Sequence, residues 1–141
     1  MSLLTEGETH KLEAKISALE ELTSAEFKII FCQHAWSGIQ RKAEKLFKKY
    51  GLDKTRERNA VLLLIVEKDR ELLIYGDEGI HKKSSTEHWP AVRDAILDDF
   101  CSGDYYTGLS TGIEMVAENL MRHFPTDDNN QNEVSNEILF I

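Results

Sequence analysis

Hydrophobic positions in the first half of the chain follow first a helical and then a strand-like period. Leucine and isoleucine recur at helical spacing over residues 5–22, and Thr5 with Glu8 predicts a capping box where that helix begins. A second amphipathic helix is predicted from Ile39 to Tyr50, with Gly51 just beyond its end. Three further runs have the β-branched, aliphatic and aromatic content of strands: residues 27–33, 60–67 and 70–76.

The second half of the chain has a helical pattern. One helix is predicted to be capped within residues 84–86 and to end before Gly103, and Asp104 is predicted to cap the next, which Pro125 closes. The polar stretch 127–132 is predicted to be a mobile loop. The apolar ending ILFI is predicted to dock as an edge strand or to plug a groove.

Helices before, between and after a small mixed β-sheet predict an α/β fold, a three-layer α/β/α sandwich. Residues 1–126 are expected to form the domain, and residues 127–141 a polar loop with a docked apolar end. The first two strands are joined by a helix and should be parallel, whereas a short turn makes the second and third an antiparallel hairpin.

These strand directions bring distant polar residues to one edge of the sheet. The start of the first strand, the start of the second and the end of the third should meet there: Glu26, Asn59 and Asp77 with Glu78. Gly76 and Gly79 predict a tight turn with positive φ around Asp77. The helix–helix corner with Asp98, Asp99 and Asp104 is expected to close over the same edge.

Carboxylates that share a site repel one another unless a cation lies among them. Oxygen ligands suit the hard cations Ca²⁺ and Mg²⁺, so the sequence predicts a divalent-cation site with Asp77, Asp104 and Glu26 as ligands. Simpler roles stay open for each acid. Asp104 can be only an N-cap, Asp77 only a turn residue, Asp98 and Asp99 a solvated helix face, and Glu26 the partner of an arginine such as Arg58.

Composition narrows the class of protein. The 141 residues carry a net charge of −8, which disfavours a protein that binds nucleic acid by neutralising phosphates. Two cysteines without CxxC spacing predict reduced thiols, and the longest apolar run, Ala60–Val66, is far shorter than the roughly 20 residues of a membrane span. Without a signal-peptide pattern, the expectation is a soluble cytoplasmic protein with no transmembrane segment.

One segment departs from the acidic average. Residues 41–58 hold eight of the 17 cations against three acids, a net charge of +5, so the rest of the chain carries −13. Such a segment is either a solvated helix face or a docking site for an anionic partner or membrane headgroups. No GxSxG, P-loop or Cys–His pattern occurs, so serine-type hydrolysis and P-loop chemistry have no support.

The chain resembles the TPM domain family, named for thylakoid-lumen, photosystem-repair and acetylcholine-receptor-modulating members. The matching segments, in order, are Thr23–Glu26, Arg58–Leu62, Tyr75–Ile80, Trp89, Phe100–Leu109, His123–Pro125 and Asn132-Glu133. The resemblance implies an α/β/α sandwich with a divalent-cation site, usually calcium, and acid phosphatase activity in the plant lumenal branch. It matches Asp77 and Asp104 to metal-site positions and Glu26 more weakly. Ala25 and Ala60 stand where the family usually has glycine.

Two hypotheses follow for the function. The first is a domain that binds Ca²⁺ or Mg²⁺, recruits a phosphorylated or otherwise anionic ligand, and acts as a metal-dependent acid phosphatase; the sequence supplies no obvious nucleophile, and the catalytic residues are unknown. The alternative is a non-catalytic interaction module in which the acidic edge or the basic helix binds a protein partner and the metal is structural or absent.

Overall fold

Helices and strands alternate through the first half of the chain, and helices fill most of the second half. The computed structural model describes residues 3–83, 88–126 and 135–141. Its elements are α1 (Glu6–Glu20), β1 (Glu26–Cys32), α2 (Ile39–Lys49), a 3₁₀ turn (Leu52–Lys54), β2 (Ala60–Val66), β3 (Glu71–Gly76), α3 (Glu78–Lys83), α4 (His88–Cys101), α5 (Tyr105–His123) and β4 (Leu139–Phe140). The α/β class is confirmed, and the elements are consistent with the predicted sandwich.

The four strands form one mixed sheet in the order β3-β2-β1-β4. β1 and β2 are parallel over seven residue pairs, from Glu26 beside Ala60 to Cys32 beside Val66. β2 and β3 are antiparallel, and β4 lies parallel to β1. The predicted directions of the first three strands are therefore confirmed. The docking of the ILFI end as an edge strand is confirmed as well.

By its internal contacts the chain divides into two units, and the sheet belongs to the one formed by residues 25–84 and 131–141. Within this unit α2 contributes Ala43, Leu46 and Phe47 to a buried apolar cluster with alternate residues of β1 and β2, among them Ile30 and Leu62. All seven residues of β2 are buried. The uninterrupted apolar run that predicted this strand is therefore explained by burial of both its faces.

The C-terminal strand is held to β1 by polar and aromatic contacts. The Lys28 ammonium donates to the carbonyl oxygens of Ser135 and Glu137, at 3.1 and 2.6 Å. The ring of Phe140 stacks on that of Phe31 with 4.9 Å between centroids. These contacts give a strand of only two residues a fixed position beside the sheet.

Residues 1–24 and 85–130 form the other unit, in which α1 and α4 pack on α5. The capping box of Thr5 and Glu8 is present at the start of α1, as predicted. The helix predicted to follow residues 84–86 is α4, but the predicted cap lies outside the described residues, as does the predicted loop 127–132. Among the described residues, no helix combines the length and hydrophobicity that crossing a bilayer requires.

Candidate functional site

The strand register gathers polar residues at one end of the sheet. Glu26 opens β1 directly beside Ala60, and Asn59 precedes Ala60. Asp77 follows β3, and its amide donates to the carbonyl of Ala60 at 3.0 Å. Glu26 is 1% exposed, Asn59 1% and Asp77 6%. We call Glu26, Arg58, Asn59, Asp77 and Glu78 the sheet-end cluster.

The carboxylate of Asp77 is bound by an arginine. Arg58 donates from Nε to Oδ2 at 2.7 Å and from Nη2 to Oδ1 at 2.9 Å, a bidentate pair. Oδ1 also accepts the amide of Glu78 at 2.8 Å. The hydrogen bond with Asp77 raises the pKa of Arg58 further above its ordinary value. Arg58 also forms a weaker ion pair with Glu78, at 3.6 Å.

Backbone hydrogen bonds hold the turn in which Arg58 lies. Arg58 has φ of +51°, in the left-handed region that non-glycine residues seldom occupy. Its amide donates to the carbonyl of Thr55, and its carbonyl accepts the amide of Gly79 at 2.8 Å. The Thr55 hydroxyl accepts the amide of Asn59 at 3.1 Å. Three backbone-directed hydrogen bonds thus fix the turn that precedes β2.

Gly79 serves this turn by its small size. A Cβ at Gly79 would lie 2.3 Å from the carbonyl oxygen of Glu57 and 2.5 Å from that of Arg58. The predicted positive-φ turn at Gly76 and Gly79 is wrong, because neither has positive φ and α3 begins directly at Glu78. The GDEG run leads into α3, whose first turn lies directly against the turn before β2. Glycine is therefore needed at position 79 because there is no space for a side chain, and not because of an unusual φ.

The sheet-end cluster as arranged does not fit a metal ion. Three of the roughly four acceptor positions on the Asp77 carboxylate take hydrogen bonds, two of them from a guanidinium that already supplies positive charge. Over residues 3–83, 88–126 and 135–141, no group of three or more His, Cys, Asp or Glu side chains could hold a metal. A cation at Asp77 would have to displace Arg58.

Asp104 lies in the other unit and acts there as a helix cap. Its Oδ1 accepts the amide of Thr107 at 3.3 Å at the start of α5, and Gly103 before it has φ of +80°. The N-cap role left open for this residue is therefore present. The approach of Asp104 to Asp77, and with it the three-acid metal site, stays a prediction.

A second surface, on the sheet unit, is strongly basic. At about 100° per residue, five cations of α2 cover a continuous arc of about 120° on the side opposite its buried stripe. We call these residues the basic face: Arg41, Lys42, Lys45, Lys48 and Lys49. Glu44, the one acid in α2, lies on the other flank and accepts a hydrogen bond from Gln40. Within the described part of the chain, Arg41, Lys42, Lys45 and Lys48 form no ion pair.

The loop before α2 presents an exposed tryptophan. Trp36 is 88% exposed, and its ring stacks on His34 with 4.3 Å between centroids. Asp69, in the turn after β2, accepts the amide of Ala35 at 3.4 Å and lies 3.7 Å from Nδ1 of His34. Asp69 therefore holds the loop in place through Ala35 and His34, while the side chain of Trp36 is exposed to solvent.

The sequence model of the TPM domain family matches residues 1–119. The chain belongs to the TPM domain family. This match confirms the resemblance drawn from the short segments above, and it covers most of the chain. A search of curated proteins gives no match.

Solved structures show the same fold. The BA42 protein of the psychrophilic bacterium Bizionia argentinensis is 28% identical with a TM-score of 0.92, over 99% of this chain and 97% of that one. An N-terminal domain of a P. gingivalis protein is 20% identical with a TM-score of 0.73, over 89% of this chain and 83% of that one. The N-terminal domain of the cg2496 protein of Corynebacterium glutamicum is 12% identical with a TM-score of 0.62, over 83% and 74%. The last two similarities concern the fold alone.

Sequence reasoning about this TPM domain missed three residues that shape the sheet unit. The sequence suggests Arg58 only as an ion-pair partner of Glu26 and Gly79 only as a turn residue with positive φ. It assigns no role to Lys28. The basic residue just before a strand was the available signal for Arg58, since β2 adjoins both β1 and β3 at that end. The position of Arg58 in the sequence does not show which neighbouring strand supplies its partner, whereas the two hydrogen bonds to Asp77 do.

Proposed function

We propose that this TPM domain is a non-catalytic binding module whose basic face contacts an anionic partner. The observation that carries the proposal is the arc of five cations on α2, from which the single acid of the helix is excluded. Like charges crowded on one helix face destabilise the helix slightly, by a few tenths of a kcal/mol per pair. A partner of opposite charge relieves that repulsion when it binds.

The sheet-end cluster supports a module of this kind. Arg58 binds the very carboxylate, Asp77, that a metal-dependent reaction would need as a ligand. The pair joins the turn before β2 to the start of α3, which is a structural role. A calcium ion in such a module is structural or absent.

The test of the binding module uses a simple polyanion as the probe. We expect immobilised poly-L-glutamate to retain the wild-type domain at low salt and to release it as ionic strength rises. The double variant Lys45→Gln/Lys48→Gln should lose most of this retention. The matched control Lys11→Gln/Lys82→Gln removes two exposed lysines outside the basic face and should keep it. Equal retention of both variants would overturn the proposal.

A second proposal is that the domain binds a divalent cation and acts as a phosphatase. Two observations favour it: Glu26 and Asp77 lie at the same end of the sheet, and the matching family model carries the word phosphatase in its name. In this proposal Asp77, Asp104 and Glu26 bind Ca²⁺ or Mg²⁺ after Arg58 releases Asp77. A phosphorylated ligand and a cytoplasmic location belong to the same set of predictions.

Calcium titration followed by amide NMR separates the two proposals. The cation site predicts saturable shifts confined to residues 76–80 and 102–106 that disappear in Asp77→Asn. The binding module predicts small shifts spread over the acidic residues, as expected from screening alone. A p-nitrophenyl phosphate assay with Ca²⁺ and Mg²⁺ across pH then tests turnover, with Asp77→Asn as the matched variant.

A further inference from the structure

We propose that the anionic partner is a lipid surface, to which the basic face binds by charge while Trp36 inserts at the headgroup level. This inference rests on the proposed binding module and names the partner of its basic face. It uses the position of Trp36, which the binding of a polyanion does not require.

The composition of the basic face favours a lipid surface over an acidic protein. Four of its five cations are lysines, and a lysine ammonium acts as a point charge that needs no particular geometry in its partner. Paired recognition of protein carboxylates is better served by the fork of arginine.

The apolar side of α2 is unavailable to a membrane. Ala43, Leu46 and Phe47 are buried in the cluster with β1 and β2, so the helix cannot insert in the manner of an interfacial amphipathic peptide. Charge alone gives weak and reversible attachment. A hydrophobic anchor must therefore come from outside the helix.

Trp36 supplies that anchor at the N-terminal end of α2. Tryptophan is enriched at membrane–water interfaces, where its ring is buried and its N–H stays hydrated. Trp36 precedes Ile39, the first residue of α2, by three positions. Ala35 of the tryptophan loop and Ile39 of α2 pack against the same buried cluster, which contains Cys32, and the Cys32 thiol is 3.7 Å from the carbonyl of His34. The basic face and the tryptophan loop are therefore neighbours in one unit.

The loop is built to present the ring. His34 stacks against one side of Trp36, and Asp69 accepts the Ala35 amide and lies beside the His34 imidazole. These contacts reduce the conformational entropy that insertion would otherwise cost. The charge of the chain as a whole opposes binding, because a net charge of −8 is repelled by an anionic bilayer. Binding is thus restricted to the orientation in which the basic face meets the lipid within about one Debye length.

Vesicle sedimentation tests the inference. Large unilamellar vesicles of phosphatidylcholine with about 30 mol % phosphatidylserine should bind the wild-type domain at low ionic strength, and pure phosphatidylcholine vesicles should not. We expect Lys45→Gln/Lys48→Gln to lower the partition coefficient about 30-fold, from about fivefold for each cation removed. Trp36→Ala should lower it about tenfold. The controls Lys11→Gln/Lys82→Gln and Leu22→Ala, the latter at an exposed leucine, should leave it unchanged.

Tryptophan emission gives an independent readout of insertion. In a Trp89→Phe background Trp36 is the only tryptophan, and with excitation selective for tryptophan its emission should shift to the blue when the anionic vesicles are added. Sedimentation without this shift would overturn the insertion of Trp36. Equal binding to both kinds of vesicle would overturn the role of charge.

The same variants separate this inference from the proposed function. If the domain binds poly-L-glutamate through the basic face but binds neither kind of vesicle, the partner is not a lipid surface and the binding module stands. If it binds neither the polyanion nor the vesicles, both proposals are wrong.

Discussion

Arg58 and Asp77, nineteen positions apart, form a bidentate ion pair in which the carboxylate is nearly buried and the guanidinium is half exposed. The side chain of Asp77 is 7% exposed and that of Arg58 is 43% exposed. The pair links the turn before β2 to the residue just before α3, where Asp77 also accepts the Glu78 amide. This pair determines how the sheet-end cluster behaves, both as a structural element and as a candidate ligand site.

Removal of the carboxylate should destabilise the domain. We expect Asp77→Ala to lower the free energy of unfolding by about 2 kcal/mol, because it removes charge-assisted hydrogen bonds from a buried site. Asp77→Asn keeps an acceptor oxygen and should cost about half as much. Glu78→Gln is the control: the Glu78 side chain is 57% exposed, and its loss of charge should cost less than about 0.5 kcal/mol. Urea denaturation of the three variants provides the comparison, and equal losses at both positions would contradict a special role for the pair.

Two glycine-to-alanine substitutions should have opposite effects. Gly79→Ala places a methyl group against the carbonyl oxygens of Glu57 and Arg58, and we expect it to cost about 2 kcal/mol or more. Gly7→Ala in α1 places its methyl group at an ordinary van der Waals distance, 4.0 Å, from the Thr5 hydroxyl oxygen and should stabilise the domain by about 0.5–1 kcal/mol, as alanine usually does in a helix. Thermal denaturation measures both. If Gly79→Ala stabilised the domain, the backbone of the turn at Arg58 would have to shift away from the added methyl group at little cost in free energy.

The N-cap of α5 provides a test in the other unit. Asp104→Ala removes the acceptor for the Thr107 amide and should cost about 1 kcal/mol of stability, whereas Asp104→Ser keeps a capping oxygen and should cost little. Both variants remove the carboxylate. If calcium binds through Asp104, both should abolish the calcium-dependent rise in melting temperature, whereas a cap alone predicts that only Asp104→Ala lowers the melting temperature in the absence of metal.

Several elements could be predicted because their causes are local. The capping box of Thr5 and Glu8 depends on four consecutive residues, and the β2 strand on one unbroken apolar run. The C-terminal edge strand could be predicted because exposing the four apolar residues of ILFI to water is unfavourable in free energy. In each case the stabilising interactions follow from residues close together in the sequence. The spacing and hydrophobicity of those residues are therefore enough to predict the element.

The sheet-end cluster could be predicted only in part. Strand direction sufficed to bring Glu26, Asn59 and Asp77 to one end of the sheet. The pairing of Arg58 with Asp77 joins residues 19 positions apart, and the role of Gly79 depends on carbonyl oxygens 21 and 22 positions earlier in the chain. Such contacts between distant segments leave no periodic signal in the sequence.

The two cysteines should differ in reactivity and in their effect on stability with pH. Cys32 is 2% exposed and its burial raises the pKa of its thiol, with a smaller opposing effect of Lys42, whereas Cys101 is exposed. A raised native pKa means that the neutral thiol is favoured by folding. Stability is therefore complete below the unfolded thiol's pKa, near 8.5, and declines as the pH rises through the native value. Tyr75, whose pKa burial also raises, adds to the decline at higher pH.

A thiol reagent and denaturant midpoints check both parts of this prediction. One thiol per chain should react with Ellman's reagent rapidly in the native domain, and Cys101→Ala should remove that fast phase. In Cys32→Ala, the fall of the urea midpoint between pH 8 and pH 10 should become shallower, while Cys101→Ala should leave the wild-type slope unchanged. Cys32→Ala also creates a small cavity and lowers stability at every pH, so the slope and not the absolute midpoint is the decisive quantity. A slope that is unchanged in Cys32→Ala would assign the alkaline loss to Tyr75 and the other groups that titrate in this range.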